Sequence, residues 1–367
     1  MRLVRFYDST YQYLQLREQI HAAALEVLDS QNYILGPHGE QLEIEFAGAL
    51  GLPFAVGVSS GTGALHLALL ACGVQPGDEV ITTPFTFAAT VAAILYCGAR
   101  PVLADIDPQT LNIDPAAVAA KITSRTRAIL PVHLYGLPAE MTPILELARQ
   151  HHLFVIEDAA QAHGATYHTH HVGSLGEIGC FSFYPSKNLG ACGDAGILVT
   201  QNPELASRVR LLRNWGQTEK YHHACLGFNY RLDELQAAIL RVKLKKLPEW
   251  NLSRRKIALI YEQSITTPHI VKPSWPPGLD SAWHLYTIRT ARRDELRDYL
   301  QARGISTAIH YPRPLHLQPA YSHLGYHVGD LPNAELAARQ VLSLPLYPGM
   351  PEDDALYVVE AIHSFFR

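Results

Sequence analysis

FAVGVSSGTGALHLALLAC, at residues 54–72, runs from a short apolar segment through a Gly/Ser/Thr turn into an apolar helical pattern. Comparable short runs follow, separated by helical patterns: EVITT, PVLAD, AILPV, FVIED, CFSFY and GILVT. This alternation predicts parallel strands joined by crossover helices that cover both faces of a sheet. Because ligands of such sheets bind at the carboxyl ends of the strands, the residues directly after each run are the first candidates for chemistry.

The pattern changes near residue 250. A long amphipathic stretch spans residues 231–263, and Pro248 is expected to break or kink it. Beyond it, WHLYTIRT, RRDELRDYLQARG and further helical patterns indicate a smaller α+β unit. We therefore predict a large α/β domain over residues 1–250 and a small C-terminal α+β domain over residues 251–367.

The composition excludes several classes of protein. The 367 residues include 30 Lys+Arg and 34 Asp+Glu without acidic or basic blocks, which argues against disorder and against nucleic-acid binding. Five scattered cysteines with no C-x-x-C pair argue against a disulfide framework or a zinc ribbon. The N-terminus lacks the apolar core of a signal peptide, and the uncharged stretch 80–99 contains Pro84 and Gly98. We expect a cytoplasmic protein that binds neither nucleic acid nor membrane.

The segment SSGTGALHLAL, at residues 59–69, is a candidate anion site. A turn of Gly, Ser and Thr at a helix N-terminus offers free backbone N–H groups and a hydroxyl, most simply to a phosphate. It matches neither the P-loop nor the dinucleotide-binding fingerprint, and an ordinary capped glycine turn is the alternative interpretation.

The segment FVIEDAAQAHGATY places Glu157 and Asp158 at the end of an apolar run, with Gln161 shortly after them. A carboxylate there could hold a protonated ring nitrogen, a metal or a ribose. The alternative is that Asp158 is only the N-cap of a helix beginning at AAQA.

The segment CFSFYPSKNLGACGDAG, at residues 180–196, places Lys187 in a glycine-rich, aromatic and weakly charged loop. Strand alternation puts Ser182 and Tyr184 on the same face. Such a lysine is a candidate for a depressed pKa and Schiff-base chemistry, although a single lysine is ordinarily just solvated. A phosphate turn, an Asp after a strand and a loop lysine together are the parts that a pyridoxal phosphate site requires.

The chain resembles the sugar aminotransferases of the DegT/DnrJ/EryC1/StrS family, which are fold-type I enzymes that use pyridoxal 5′-phosphate. The resemblance is carried, in order, by YILGP, SSGTGALHLAL, GDEVITTPFTFAAT, PVHLYG, EDAAQAHGA, FSFYPSKNLGACGDAG, GFNYRLDELQAAIL, HYPRPLHLQPAY and VLSLPLYP. It implies an α/β fold like that of aspartate aminotransferase, with a large, mostly parallel mixed-sheet domain and a smaller C-terminal α+β domain.

The resemblance also implies roles around the ring of the cofactor. Lys187 would form a Schiff base with it and act as the catalytic acid and base. Asp158 would pair with the pyridinium nitrogen, and Gln161 would reach the ring hydroxyl. Phe87 would stack on the ring.

The phosphate of the cofactor would be held by Thr62, Gly63 and Ser182, joined by Asn229 from the neighbouring subunit. The resemblance therefore implies a homodimer with shared active sites.

WGQTEKYHH and IHYPRPLHLQPAY resemble the members that use L-glutamate to aminate C-3 of a dTDP-3-oxo-6-deoxyhexose in a ping-pong reaction. Tyr184, Lys220, His310 and Tyr311 match the positions that meet the nucleotide sugar, and Lys220 suits a pyrophosphate as a point charge. Two alternatives stay open: a C-4 aminotransferase acting on a 4-oxo nucleotide sugar, and a non-catalytic regulator that binds pyridoxal phosphate.

The 19 histidines raise the question of a metal. HTHH at residues 168–171, with His222 and His223, could chelate an ion, but no Cys or Asp cluster accompanies them. We expect no metal. His163 is expected to support the cofactor segment rather than to act as an acid or base.

Overall fold

The computed structural model describes residues 2–367. Within that range the α-helices are α1 (Thr10–Ser30), α2 (Pro37–Ala49), α3 (Gly61–Ala71), α4 (Ala88–Tyr96), α5 (Pro115–Ala119), α6 (Met141–His151), α7 (Pro203–Arg213), α8 (Glu234–Leu244), α9 (Leu247–Ser264), α10 (Arg293–Ala302), α11 (Pro332–Gln340) and α12 (Glu352–Phe366). The strands are β1 (Phe54–Val58), β2 (Glu79–Thr82), β3 (Arg100–Leu103), β4 (Thr126–Leu130), β5 (Phe154–Asp158), β6 (Thr166–Tyr167), β7 (His170–His171), β8 (Ile178–Ser182), β9 (Gly196–Thr200), β10 (Gln217–Glu219), β11 (His222–His223), β12 (Leu279–Asp280), β13 (Tyr286–Arg289) and β14 (Val341–Leu344). Short 3₁₀ turns occupy Leu134–Gly136, Leu315–Leu317 and Pro319–Leu324.

A seven-stranded sheet organises the first two-thirds of the chain, in the order β1-β9-β8-β5-β4-β2-β3. The pairs β2–β3, β2–β4, β4–β5 and β5–β8 are parallel, whereas β9 is antiparallel to both of its neighbours. The mostly parallel mixed sheet expected from the sequence is therefore confirmed. GILVT, the strand β9, departs from the simple parallel pattern because residues 183–195 connect it to β8 without a crossover helix.

Both faces of the sheet are covered, as the apolar strands require. On β9, Leu198 packs in a cluster with α3 and α7, whereas Ile197 and Val199 pack in the opposite cluster with α2 and α8. This alternation is the period of two that a strand imposes on its side chains. Because β5 and β8 are parallel neighbours, their carboxyl ends lie side by side, with Asp158 opposite Cys180 in the register.

The C-terminal part forms a core of its own. Helices α9, α10 and α12 pack with the antiparallel pair β13–β14, and Val4 from the N-terminal segment completes this cluster. The helical stretch predicted over 231–263 is interrupted before Pro248, which stands in the first turn of α9, where its missing N–H has no helical partner to lose. Helix α9 passes through residue 250, and the division at 250/251 stays a prediction. No helix within residues 2–367 is long and apolar enough to cross a bilayer.

Candidate active site

Lys187 lies in the loop that connects β8 to β9. The backbone N–H of Lys187 donates to the carbonyl of Tyr184 over 2.8 Å, and the N–H of Ala191 donates to the carbonyl of Phe183 over 2.7 Å. These two bonds close the loop at its base and turn it back toward the sheet. Burial lowers the pKa of the Lys187 amine to about 8, and the nearby carboxylate of Asp158 opposes part of that shift. An amine with this pKa is partly unprotonated near neutral pH, as a nucleophile and base must be.

Asp158 ends strand β5 and is 5% exposed. Its carboxylate accepts a hydrogen bond from the Thr90 hydroxyl on α4 over 2.8 Å and from the backbone N–H of Ala160 over 3.2 Å. Burial raises the pKa of Asp158, whereas these two hydrogen bonds and the charge of Lys187 oppose the increase. The alternative interpretation required a helix beginning at AAQA. Residues 159–165 instead form turns and irregular backbone. Asp158 is therefore not a helix cap.

Glu157 faces the opposite way from Asp158 and is fully buried. Its carboxylate accepts a hydrogen bond from His133 Nε2 over 3.0 Å, and His133 Nδ1 accepts from the N–H of Ala139 over 3.0 Å. The Glu157 carboxylate also accepts hydrogen bonds from three backbone N–H groups, those of Gly173, Leu175 and Gly176. Glu157 thus anchors the turn before β8 and is not available for a ligand.

Gln161 is held between two tyrosines that come from distant parts of the chain. Its Oε1 accepts from the backbone N–H of Tyr135 over 2.7 Å, and its Nε2 donates to the hydroxyl of Tyr311 over 3.1 Å. The hydroxyl of Tyr135 in turn donates to the carbonyl of His310. The second hydrogen of Gln161 Nε2 is the one that remains to reach a ring hydroxyl. Tyr135 lies in the PVHLYG segment, where no local pattern in the sequence marks it as a site residue.

The N-terminus of α3 meets the end of β8. A Cβ added to Gly61 would lie 2.7 Å from the Cβ of Ser182, so only glycine allows this approach. Ser60 caps the helix, because its Oγ accepts from the N–H of Gly63 over 3.1 Å. The N–H of Thr62 has no acceptor within the helix, because it lies in the first turn. The structure therefore brings Thr62, Gly63 and Ser182 together, although the N–H of Gly63 serves the cap.

Two large aromatic side chains close to the residues described above are exposed, one beside Tyr311 and one in the Lys187 loop. Phe87, directly before α4, is 59% exposed, and its ring centroid lies 6.3 Å from that of Tyr311. Tyr184, in the Lys187 loop, is 55% exposed. An exposed aromatic ring is a surface on which a planar ligand can stack.

His310 and Tyr311 approach the site from the C-terminal part. His310 Nδ1 lies 3.0 Å from the Ser343 hydroxyl, and its ring stacks on Phe6 with a centroid separation of 5.7 Å. Burial, reinforced by the charge of Lys187, lowers the pKa of His310 to about 4. Burial also raises the pKa of Tyr311. Both side chains are therefore neutral hydrogen-bonding groups at neutral pH.

The structure places Asn229 and Lys220 at the surface. Asn229 is exposed on an extended segment, next to Tyr230, whose carbonyl accepts from the N–H of Ser59. Lys220 is exposed in the hairpin of β10 and β11, with its Nζ 5.4 Å from the ring centroid of Tyr221. Within residues 2–367, no hydrogen bond joins the side chain of Asn229 or Lys220 to Thr62, Gly63, Ser182 or Lys187.

The histidine-rich segments form short hairpins. Residues 166–171 are the pair β6–β7, and in the hairpin of β10 and β11 His222 Nδ1 lies 2.9 Å from the Thr218 hydroxyl. In the part of the chain that the structure describes, no three His, Cys, Asp or Glu side chains are grouped as a metal site. His163 is buried against Phe181 and Phe183, and burial lowers the pKa of its imidazole to about 3.

These residues fit pyridoxal phosphate. The buried Asp158 carboxylate has only neutral donors as hydrogen-bond partners, and a protonated ring nitrogen would supply the missing cation. The N-terminus of α3 offers a phosphate the N–H of Thr62, which has no acceptor within the helix, and a partly buried lysine stands in the loop after β8.

Comparison with known proteins gives the same result. A profile of the DegT/DnrJ/EryC1/StrS aminotransferase family matches residues 14–363. The chain is 48% identical over 363 residues to a pleiotropic regulatory protein of Geobacillus stearothermophilus, covering 98% of each. It is also 48% identical over 363 residues to the dTDP-3-amino-3,4,6-trideoxy-alpha-D-glucose transaminase of Streptomyces venezuelae, covering 99% of this chain and 96% of the relative.

Among solved structures, the crystal structure of S. venezuelae DesV in complex with a ketimine intermediate superimposes with a TM-score of 0.97 at 48% identity, covering 100% of this chain and 99% of that one. The chain belongs to the DegT/DnrJ/EryC1/StrS aminotransferase family, and it is a pyridoxal 5′-phosphate-dependent aminotransferase of nucleotide sugars.

Proposed function

We propose that this enzyme moves the amino group of L-glutamate to C-3 of a dTDP-3-oxo-6-deoxyhexose, giving a dTDP-3-amino-3,6-dideoxyhexose, with both substrates using one site in turn. The observation that carries the proposal is that Lys187, Asp158 and Gln161 lie close together at one edge of the sheet, near the exposed rings of Phe87 and Tyr184. The choice of C-3 and of dTDP is supported by 48% identity to a transaminase named for a dTDP-3-amino sugar.

When bound, pyridoxal phosphate supplies the electron sink that lets an amine pass from one carbon to another. The chain supplies the base. Lys187 would hold the cofactor through its side-chain amine, and its free Nζ would take the proton from Cα of glutamate. A pKa of about 8 leaves Nζ able both to accept this proton and to return it.

The other residues bind and orient. The ionised carboxylate of Asp158 would hold the positive charge of the ring nitrogen. Gln161, which already donates one N–H to Tyr311, would donate its remaining N–H to the ring hydroxyl. Thr62 and Ser182 bind the phosphate at the N-terminus of α3, where the helix dipole favours an anion. Phe87 covers one face of the ring.

We place the sugar nucleotide between the exposed rings of Phe87 and Tyr184 on one side and the segment that carries His310 and Tyr311 on the other. Tyr184, His310 and Tyr311 hydrogen-bond the sugar, the last two as neutral groups, and Lys220 meets the pyrophosphate. Asn229 completes the phosphate site of a partner subunit, and the enzyme is a homodimer with shared active sites. The exposure of Phe87, Tyr184 and Asn229 supports this proposal, since each is free to be covered by a ligand or by a second subunit.

We place the enzyme in the cytoplasm. Its five cysteines are unpaired, three of them buried, and free thiols are typical of proteins from a reducing compartment.

Product analysis tests the proposal. Holoenzyme and L-glutamate are incubated with dTDP-3-oxo-6-deoxyglucose, its galacto epimer, a dTDP-4-oxo sugar and the UDP-linked 3-oxo counterpart. The proposal expects a 3-amino product from a dTDP-3-oxo sugar at the highest kcat/KM. A higher kcat/KM with the 4-oxo sugar would replace it by a C-4 aminotransferase, and a preference for the UDP sugar would overturn the choice of nucleotide.

A further inference from the structure

The residue after Lys187 is tied to two other parts of the chain. Asn188 is 1% exposed. Its Nδ2 donates to the carbonyl of Ala282 over 2.6 Å and to Oδ1 of Asn251 over 2.9 Å. Its Oδ1 lies 3.1 Å from His284 Nδ1. All three partners are distant in sequence, on α9 and on the segment before β13.

The orientation of this amide follows from its partners. The carbonyl of Ala282 can only accept, so the nitrogen of Asn188 must face it and the oxygen must face His284. His284 must then donate from Nδ1. Burial and the charge of Lys187 lower the pKa of His284 well below its usual value, so the ring is neutral with its proton on Nδ1.

The anchor points are themselves rigid. Asn251 and Arg254 lie three residues apart, on one face of α9. Nδ2 of Asn251 donates to the carbonyl of His163 over 2.8 Å, and the buried guanidinium of Arg254 donates to the carbonyl of His284 over 3.1 Å. Helix α9 thus holds both the segment 282–284 and the turn after Asp158.

We propose that Asn188 is a positioning residue for Lys187: its three hydrogen bonds to Ala282, Asn251 and His284 keep the lysine amine aimed at the cofactor. The inference rests on the proposed covalent role of Lys187. A lysine that both holds the cofactor and serves as the base would have to move its side chain during turnover, so its backbone must be held in place by other groups. The backbone–backbone bonds of the loop join it only to itself. Side chains of Tyr7, Gln236 and Lys243 also hydrogen-bond the loop, at Pro185, Cys192 and Gly190. The Asn188 side chain is the tether directly beside Lys187, and it fixes this part of the loop to α9.

Loosening this clamp has two consequences. The amine would spend less time in its reactive position, and a misplacement of about 1 Å costs on the order of 100-fold in rate. Water would also reach the loop, and the pKa of Lys187 would rise from about 8 toward its usual value, because burial is the main cause of its depression.

The test compares Asn188→Ala with a matched control, Asn112→Ala. Asn112 is also buried, and it too makes three hydrogen bonds, to the carbonyls of Leu137 and Pro138 and from the N–H of Leu134. One readout is the pH dependence of the rate at which apoprotein forms its visible-absorbing adduct with pyridoxal phosphate. The other is the half-reaction of the holoenzyme with glutamate.

In Asn188→Ala the pH midpoint of adduct formation is expected to rise by about one unit. The glutamate half-reaction is expected to slow about 10- to 100-fold, with KM for glutamate changed less than about twofold. Asn112→Ala is expected to lose comparable stability with neither change. If the two variants lose stability alike and share the wild-type pH midpoint, Asn188 is merely structural and the inference is wrong.

A second pair covers the case in which Asn188→Ala does not fold. Asn Nδ2 occupies the place of His Nδ1, so His284→Asn keeps the donor to Asn188, whereas His284→Ala removes it. Rescue of the pH midpoint by His284→Asn but not His284→Ala supports the clamp, and equal behaviour of the two contradicts it. If Lys187→Ala keeps the visible adduct band, the covalent role of Lys187 fails instead, whatever the Asn188 variants show.

Discussion

Thr90→Val tests how the chain controls the charge of Asp158. The hydroxyl of Thr90 donates to the Asp158 carboxylate over 2.8 Å inside the core, and valine keeps the shape of the side chain without this donor. A hydrogen bond to a charged group contributes about 1.5–3 kcal/mol. Because one pKa unit corresponds to about 1.4 kcal/mol, we expect the pKa of Asp158 in apoprotein to rise by about 1–2 units.

The sign of the effect on cofactor binding follows directly. The protonated ring nitrogen of the cofactor needs an ionised Asp158, so affinity is high above the pKa of this carboxyl and falls below it. Removing a donor that stabilises the carboxylate raises that pKa, and the pH at which affinity is lost should rise with it.

The assay is the dissociation constant of pyridoxal phosphate as a function of pH, measured on apoprotein by quenching of tryptophan fluorescence. Thr200→Val is the matched control, since the Thr200 hydroxyl is equally buried but donates to the carbonyl of Glu177 over 2.6 Å, away from the site. The control should leave the midpoint in place. An unchanged midpoint in Thr90→Val, or a shift to lower pH, would refute the assignment of Asp158 as the charge partner of the ring.

Three further predictions concern residues around the site. Glu157→Gln places an amide against buried N–H donors, and we expect about 1–3 kcal/mol less free energy of unfolding in urea, a result that an unchanged value would contradict. His310→Ala should raise KM for the nucleotide sugar about tenfold, which corresponds to a loss of about 1.4 kcal/mol of binding free energy. The glutamate half-reaction should stay near wild type. Equal effects on both half-reactions would argue against a contact between His310 and the sugar. Lys220→Met should weaken nucleotide-sugar binding most at low salt, because an exposed ammonium is screened as ionic strength rises, and a salt-independent loss would point to packing instead.

Local patterns made Asp158 and Lys187 candidates, because Asp158 ends one apolar strand and Lys187 follows another. An apolar run that ends in a carboxylate, and a lysine followed by glycines after an aromatic strand, are each contained in a short stretch of sequence. The parallel register of β5 and β8 then brings the ends of both strands to one edge, as expected for parallel strands.

The partners of these residues could not be predicted in the same way. Thr90 reaches Asp158 across 68 residues, and Tyr311 reaches Gln161 across 150. Neither contact leaves a periodic trace, because a single hydroxyl at the correct depth produces it. The antiparallel direction of β9 was also hidden, since its apolar run reads like that of a buried parallel strand, and only the absence of a helix in residues 183–195 determines it.

The turn after Asp158 shows how tertiary contacts override local preference. AAQA is a good helical sequence, yet the side chain and carbonyl groups of this segment are held by long-range partners. Gln161 is bound by Tyr135 and Tyr311, and the carbonyl of His163 accepts from Asn251. These bonds keep residues 159–165 as turns and point Gln161 into the site.

The most direct test of the central claim locates the covalent bond to the cofactor. Holoenzyme is reduced with borohydride to fix the Schiff base, then digested, and the modified peptide is sequenced by mass spectrometry. We expect one modified lysine, Lys187, in the peptide that contains YPSKNLGACGDAG. A cofactor fixed to any other lysine, or full labelling retained in Lys187→Ala, would contradict it.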